Sequence, residues 1–193
     1  VFRMGEKTNL LRVADELKAT ATVSDCAKLR FASAVVELSD LRTAQFDERT
    51  PVTVWGWGVN RRCDALADLC LGSCIREGMR SRTRPYVGAC LHSEENAIWN
   101  TVNSGNKCPA LPAQNGWVAV VGITNGAVPG VLGLPDEWTC IRCATTVLLS
   151  GLEGFIRIQQ DSRMNWTFLP ISAAKAARQA MELNFRLEGD PRP

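Results

Sequence analysis

The 193-residue chain holds one histidine and one tyrosine, and its net charge is only +2. One imidazole must therefore serve whatever histidine chemistry there is. The near-balance of charge argues against broad electrostatic capture of a polyanion, so a nucleic-acid partner is not expected and small-molecule partners are. Apolar runs of the ~20 residues needed by a spanning helix are missing, which excludes a membrane partner of that kind. The opening stretch VFRMGEKTNLL lacks the charged-then-apolar layout of a signal peptide, so a soluble, cytoplasmic protein is expected.

What is present is ordinary for a globular protein. Hydrophobic residues make up 46% and charged residues 22%, which excludes general disorder, and the length suits a single compact domain over residues 1–193. The eight cysteines stand at positions 26, 63, 70, 74, 90, 108, 140 and 143. Without an export signal, metal ligation or buried thiols explain them better than disulfides.

Leu10, Leu11, Ala14 and Leu17 recur at helical spacing after a Thr8 cap, predicting an amphipathic helix over 8–21. FASAVVEL (31–38) and VTVWGWGV (52–59) read as short buried strands. Residues 60–91 form an irregular excursion rich in Cys and Arg, with a short helix near 64–71. A helix from Ser93, a strand over 116–123, a helix from the Thr139 cap ending near Gly151, strands over 154–160 and 166–171, and a helix from Ser172 follow. Helices and strands alternate in this order, predicting an α/β fold with a central mixed sheet of about five strands and helices on both faces. The link 161–165 is too short for a crossover, so the last two strands should be antiparallel.

The chemistry concentrates in CLHSEENAIWN, residues 90–100. Residues two apart on a helix point to nearly opposite sides, so His92 and Glu94 converge only if His92 sits at a helix entrance. Ser93, Glu94 and Glu95 are residue types that favour such a start. Cys140 and Cys143, three apart after a Thr139 cap, lie on one face of another helix. One imidazole and two thiolates form a three-ligand zinc set that leaves a tetrahedral position open to water, whose pKa zinc can lower to about 7. Glu94 would then move protons without binding the metal.

His92-Ser93-Glu94 followed by Cys140-Ile141-Arg142-Cys143 resembles the H-x-E…P-C-x-x-C signature of zinc-dependent nucleobase deaminases. HSEENAI, GWGVN before it and CIREGMRSRTRPYVGAC between them look most like the deoxycytidylate (dCMP) deaminases within the cytidine deaminase superfamily. The resemblance runs patchily over residues 26–158. It implies a three-layer α/β/α cytidine deaminase-like fold, zinc as cofactor, hydrolysis of dCMP to dUMP and ammonia, a homo-oligomer that is commonly a hexamer, and control by end-product nucleotides. The chain departs from the family at Thr139, where proline is usual, at Ser93, where alanine is usual, and at Val59, where tyrosine is usual. The region 126–138 is also longer than in the family.

The resemblance assigns substrate contacts as well. Asn60 matches an asparagine that meets the sugar and phosphate, although asparagine after a strand also serves as a turn residue. Arg61 and Arg62 are suited to a phosphate or to solvent, and Arg30 falls near a phosphate-binding arginine. Ser93 matches a position whose backbone touches the pyrimidine carbonyl. Trp138 either walls the base or belongs to the core.

Against these stand plainer alternatives. His92 is then a structural histidine, and Cys140 and Cys143 form a redox pair or half of a zinc knuckle. Cys63, Cys70, Cys74 and Cys90 offer a second, thiolate-rich structural zinc site, a less favoured reading, and Cys26 and Cys108 are left as buried thiols. Alternative functions are a cytidine, deoxycytidine or dCTP deaminase, a nucleic-acid base deaminase, and a non-enzymatic binding module stapled by zinc. An antiparallel final pair is the arrangement of nucleoside deaminases, whereas dCMP deaminases usually insert a helix there.

Overall fold

The computed structural model describes residues 2–26, 29–39, 46–63, 90–103, 111, 115–124, 130–134 and 139–188. Among them a mixed six-stranded sheet runs in the order β1-β3-β2-β6-β7-β8, from β1 (Glu6–Asn9), β2 (Arg30–Leu38), β3 (Pro51–Val59), β6 (Gly116–Ile123), β7 (Gly154–Gln160) and β8 (Trp166–Ser172). A separate ribbon pairs β4 (Arg61–Arg62) with β5 (Cys90–Leu91). The four helices among the described residues are α1 (Leu10–Ala21), α2 (Ser93–Asn103), α3 (Ile141–Leu149) and α4 (Ala173–Glu188). Among the described residues only the β6–β7 pair is parallel, with α3 as its crossover, and β7 and β8 are antiparallel as the short link requires.

Two expectations need correction. The sheet has six strands rather than about five because β1, EKTN, is a polar edge strand with no apolar alternation to announce it. Thr8 belongs to that strand, and the cap of α1 is Asn9, whose Oδ1 accepts from Arg12 N at 3.0 Å. The expected short helix near 64–71 lies outside the described residues, as does most of the 60–91 excursion.

Both sheet faces are covered. Leu10, Val13, Ala14 and Leu17 of α1 pack on one face against Ala34 and Val36 of β2, Val121 of β6 and Ile156 of β7. Ala97 and Ile98 of α2 join Val35, Val118, Val147 and Phe155 on the other face. α3 and α4 pack against each other through Ala144, Ala177 and Ala180. A fully buried side chain the size of Phe155 contributes roughly 1.5–3 kcal/mol through this burial.

A bulge in β3 brings α2 close. Val36 pairs with Val54 and Val35 with Gly56, leaving Trp55 as the extra residue. Before the bulge Val52 and Val54 face α1, and after it Trp57 and Val59 do, so Gly56 and Gly58 turn toward α2. A Cβ on Gly58 would stand 2.6 Å from Ala97 N and 2.7 Å from Asn96 Cβ, and one on Gly56 would stand 2.9 Å from Thr101 N. The helix thus rests on strand backbone, fastened by Asn96 Nδ2 to Val59 O at 2.9 Å and Asn100 Nδ2 to Trp57 O at 2.8 Å.

Candidate metal centre

His92 occupies the entrance of α2, as the spacing demanded. Its carbonyl accepts the first helical bond, from Asn96 N at 3.0 Å, and its own N–H donates to Glu95 Oε2 at 3.3 Å. A glutamate at the third helical position reaching back to the cap is half of a capping box. The residues just before are fixed by the β4–β5 ribbon, where Arg61 pairs with Leu91 and Arg62 with Cys90.

The second helix start differs from expectation by one residue. Cys140, not Thr139, is the N-cap of α3, because its Sγ accepts from Cys143 N at 3.4 Å. Thr139 Oγ1 instead donates to Cys140 O at 3.4 Å. Using the first cysteine as the cap aims its sulfur along the helix start, where the second cysteine projects one turn on.

The two entrances meet. The ligand atoms of His92, Cys140 and Cys143 lie within 4.8 Å of one another, a group that could hold a metal ion. His92 Nδ1 is 3.1 Å from Cys143 Sγ and 3.4 Å from Cys140 Sγ. Tetrahedral zinc with ordinary Zn–N and Zn–S bonds requires N···S separations of about 3.6 Å, so shifts of a few tenths of an ångström accommodate it. The donor set therefore fits zinc.

The electrostatics of the metal-free cluster show why it would welcome a cation. Burial works against a charged His92 ring, but its hydrogen bond to Cys140 and the negative charges of Cys140, Glu94 and Glu95 lift its pKa to about 8. The Cys140 thiol is held well below the usual range by a hydrogen bond from Cys143 and by His92, against the opposing effect of burial. Burial pushes the Cys143 thiol up, as do its hydrogen bond to Cys140 and the charges of Glu94, Cys140 and Glu95. Negative charge is thus gathered around one imidazole.

Glu94 is buried, and its carboxyl is pushed up by that burial while the His92 charge partly offsets it. Ser93 Oγ donates to Glu94 Oε2 at 3.0 Å and lies 2.7 Å from Ser33 Oγ of β2. With the Ser93 proton directed to Glu94, Ser33 must donate to Ser93. Ser93 therefore anchors one oxygen of the neighbouring carboxylate.

Asn60 is nearly buried and its amide is largely committed. Oδ1 accepts from Ser24 Oγ and Phe31 N, both at 2.7 Å, and Nδ2 donates to Leu29 O at 2.7 Å. It ties the chain leading into β2 to the end of β3 and keeps one N–H for other use. Arg30 Nη1 donates to Thr22 O at 3.2 Å, at the end of α1. Arg62 Nε pairs with Asp25 at 3.2 Å, whereas the adjacent Arg61 is exposed on the ribbon. Trp138 lies outside the described residues, as do Cys70, Cys74 and Cys108 of the thiol readings. Cys26 is only half-buried and Cys63 is exposed.

Sequence reasoning gave no connecting role at the cluster to three residues, reading Glu95 only as a helix-start residue and Arg142 only as part of the cysteine motif. Ser33 is a polar residue inside an apolar strand, Glu95 stands at capping-box distance from His92, and Arg142 lies between the two cysteines. Those were the available signals. Arg142 Nε donates to Glu95 Oε1 at 2.6 Å, joining α3 to α2. A cavity of about 340 Å³ beside Trp55, Trp57, Asn100 and Asn103 is not lined by any of the three metal-set residues. No helix among the described residues is long and apolar enough to cross a membrane. No protein-family model matches the chain, and no curated protein matches it.

Proposed function

We propose that this chain is a zinc-dependent hydrolytic deaminase of the cytidine/deoxycytidylate superfamily, acting on the cytosine of a small nucleotide, with dCMP to dUMP and ammonia as the first choice. The observation that carries the reading is the convergence of His92, Cys140 and Cys143 on one point beside the buried carboxyl of Glu94. A knuckle or a simple structural staple has no use for a buried, destabilised carboxylate there. Such a group is what acid–base chemistry needs.

His92, Cys140 and Cys143 would hold the zinc. When bound, the ion supplies Lewis acidity that makes water a nucleophile near neutral pH. Glu94 accepts the proton released from water and returns protons to the ring nitrogen and the departing amine, so cytosine plus water becomes uracil plus ammonia. Its raised proton affinity suits both halves of that transfer. Ser93, held by Ser33, fixes Oε2 and leaves Oε1 to do the moving. Asn60 retains one amide N–H for the sugar, and the exposed Arg61 is the nearest candidate on the β4–β5 ribbon for a phosphate.

One observation favours a second reading. β8 is antiparallel to β7, the arrangement of nucleoside cytidine deaminases rather than of dCMP deaminases. The test is ammonia release from cytidine, dCMP, dCTP and single-stranded DNA by the zinc-loaded protein, with Glu94→Gln as control. Turnover of dCMP that disappears in Glu94→Gln while zinc is retained supports the first reading. Turnover of cytidine with dCMP inert selects the second, and no turnover of any substrate overturns both.

A further inference from the structure

Glu95 touches both halves of the ligand set. One carboxylate oxygen accepts the backbone N–H of His92 at 3.3 Å, and the other accepts Arg142 Nε at 2.6 Å. Arg142 lies on α3 between the two cysteines, so a single side chain spans from the imidazole ligand to the thiolate pair. Glu95 is mostly shielded, with its side chain 13% exposed against 36% for Arg142, which limits screening of the pair by water. Ser93–Asn103 and Ile141–Leu149 are otherwise separate helices, approaching the site from different stretches of chain.

We infer that Glu95 and Arg142 are positioning residues that hold the entrances of α2 and α3 in the spacing a metal ion requires. The inference rests on the metal reading of the cluster. Among the described residues, no other side-chain hydrogen bond or ion pair joins the first turn of α2 to the first turn of α3 except those between His92 and the two cysteines, whose mutual bonds are replaced when an ion enters. Groups that orient ligands from behind commonly change metal affinity by 10- to 100-fold when removed.

The experiment is zinc affinity, measured by competition with a chromophoric chelator, for the wild-type chain, Glu95→Ala, Arg142→Ala and the double variant. Each single variant should lose affinity by on the order of 10- to 100-fold, and the double variant should lose little more than either, because both remove one connection. Cobalt-loaded singles should also show shifted ligand-field bands relative to the wild type. A merely structural ion pair would lower the unfolding stability of the metal-free protein and leave zinc affinity and the cobalt spectrum unchanged, and that result overturns the inference. Multiplicative losses overturn it too. Arg142 is exposed enough that its truncation leaves no buried void, so Arg142→Ala carries the test if Glu95→Ala fails to fold. A wild type that binds zinc tightly but deaminates nothing sinks the deaminase reading and leaves this one standing. A wild type that binds no zinc sinks both.

Discussion

Ser33 and Ser93 share a 2.7 Å hydrogen bond with neither residue exposed to solvent, joining the central strand β2 to the first turn of α2 directly behind Glu94. Removing one hydroxyl strands the other, and an unsatisfied buried hydroxyl costs about 1–3 kcal/mol. Ser93→Ala should therefore lower unfolding stability by an amount in that range. The double variant Ser33→Ala/Ser93→Ala should recover part of the loss, since no lone polar group remains, and urea denaturation of the four proteins in the cycle measures it.

Gly58→Ala should be among the most damaging single-methyl additions in the sheet. Its Cβ would meet Ala97 N at 2.6 Å and Asn96 Cβ at 2.7 Å, neither of which is the free end of a flexible chain. Overpacking of this kind costs roughly 1–3 kcal/mol. Because the displaced helix begins at His92, zinc affinity should fall together with the melting temperature. A variant with wild-type stability would show that α2 sits farther from β3 than described.

Cys140 caps α3 and belongs to the group that could hold a metal, and two substitutions separate the roles. Cys140→Ala removes the acceptor for Cys143 N, which for an N-cap is worth about 1 kcal/mol, whereas Cys140→Ser keeps one. Both should lose tight zinc binding, but only the alanine variant should destabilise the metal-free protein. Equal thermal melts for the two would contradict the cap.

Zinc binding should strengthen steeply with pH. The metal needs a neutral imidazole and ionised thiols, while His92 keeps its proton up to about 8 and Cys143 is held well above the usual thiol range. Protons therefore compete with the metal throughout the neutral range, and affinity falls as pH drops below about 8. The dependence should be about tenfold per pH unit for each proton displaced. Chelator competition at several pH values gives the slope, and a dependence of only about tenfold per pH unit below pH 8, one proton rather than two, would mean that His92 is not a ligand.

Much of the fold was legible because the inner strands carry their burial in their composition. GWVAVVGI and GFIRIQQ form strands with the expected bounds, 116–123 and 154–160. Edge strand β1 was not legible, since EKTN is held by pairing with β3 rather than by apolar pattern. The bulge at Trp55 was hidden too, because it is defined only by the partner strand. At the candidate metal centre, the spacing of His92 from its helix start and of Cys140 from Cys143 could be read locally. The Glu95–Arg142 and Ser33–Ser93 connections could not, because each joins residues distant in sequence whose partners depend on how the helices dock.

The glycine seat under α2 has a further implication. Where side chains separate a helix from a sheet, rotamer changes let the two slide, but peptide groups in direct touch offer no such slack. The His92 end of the centre is therefore mounted on an incompressible floor. Any change in the spacing between His92 and the two cysteines must therefore come from the α3 side.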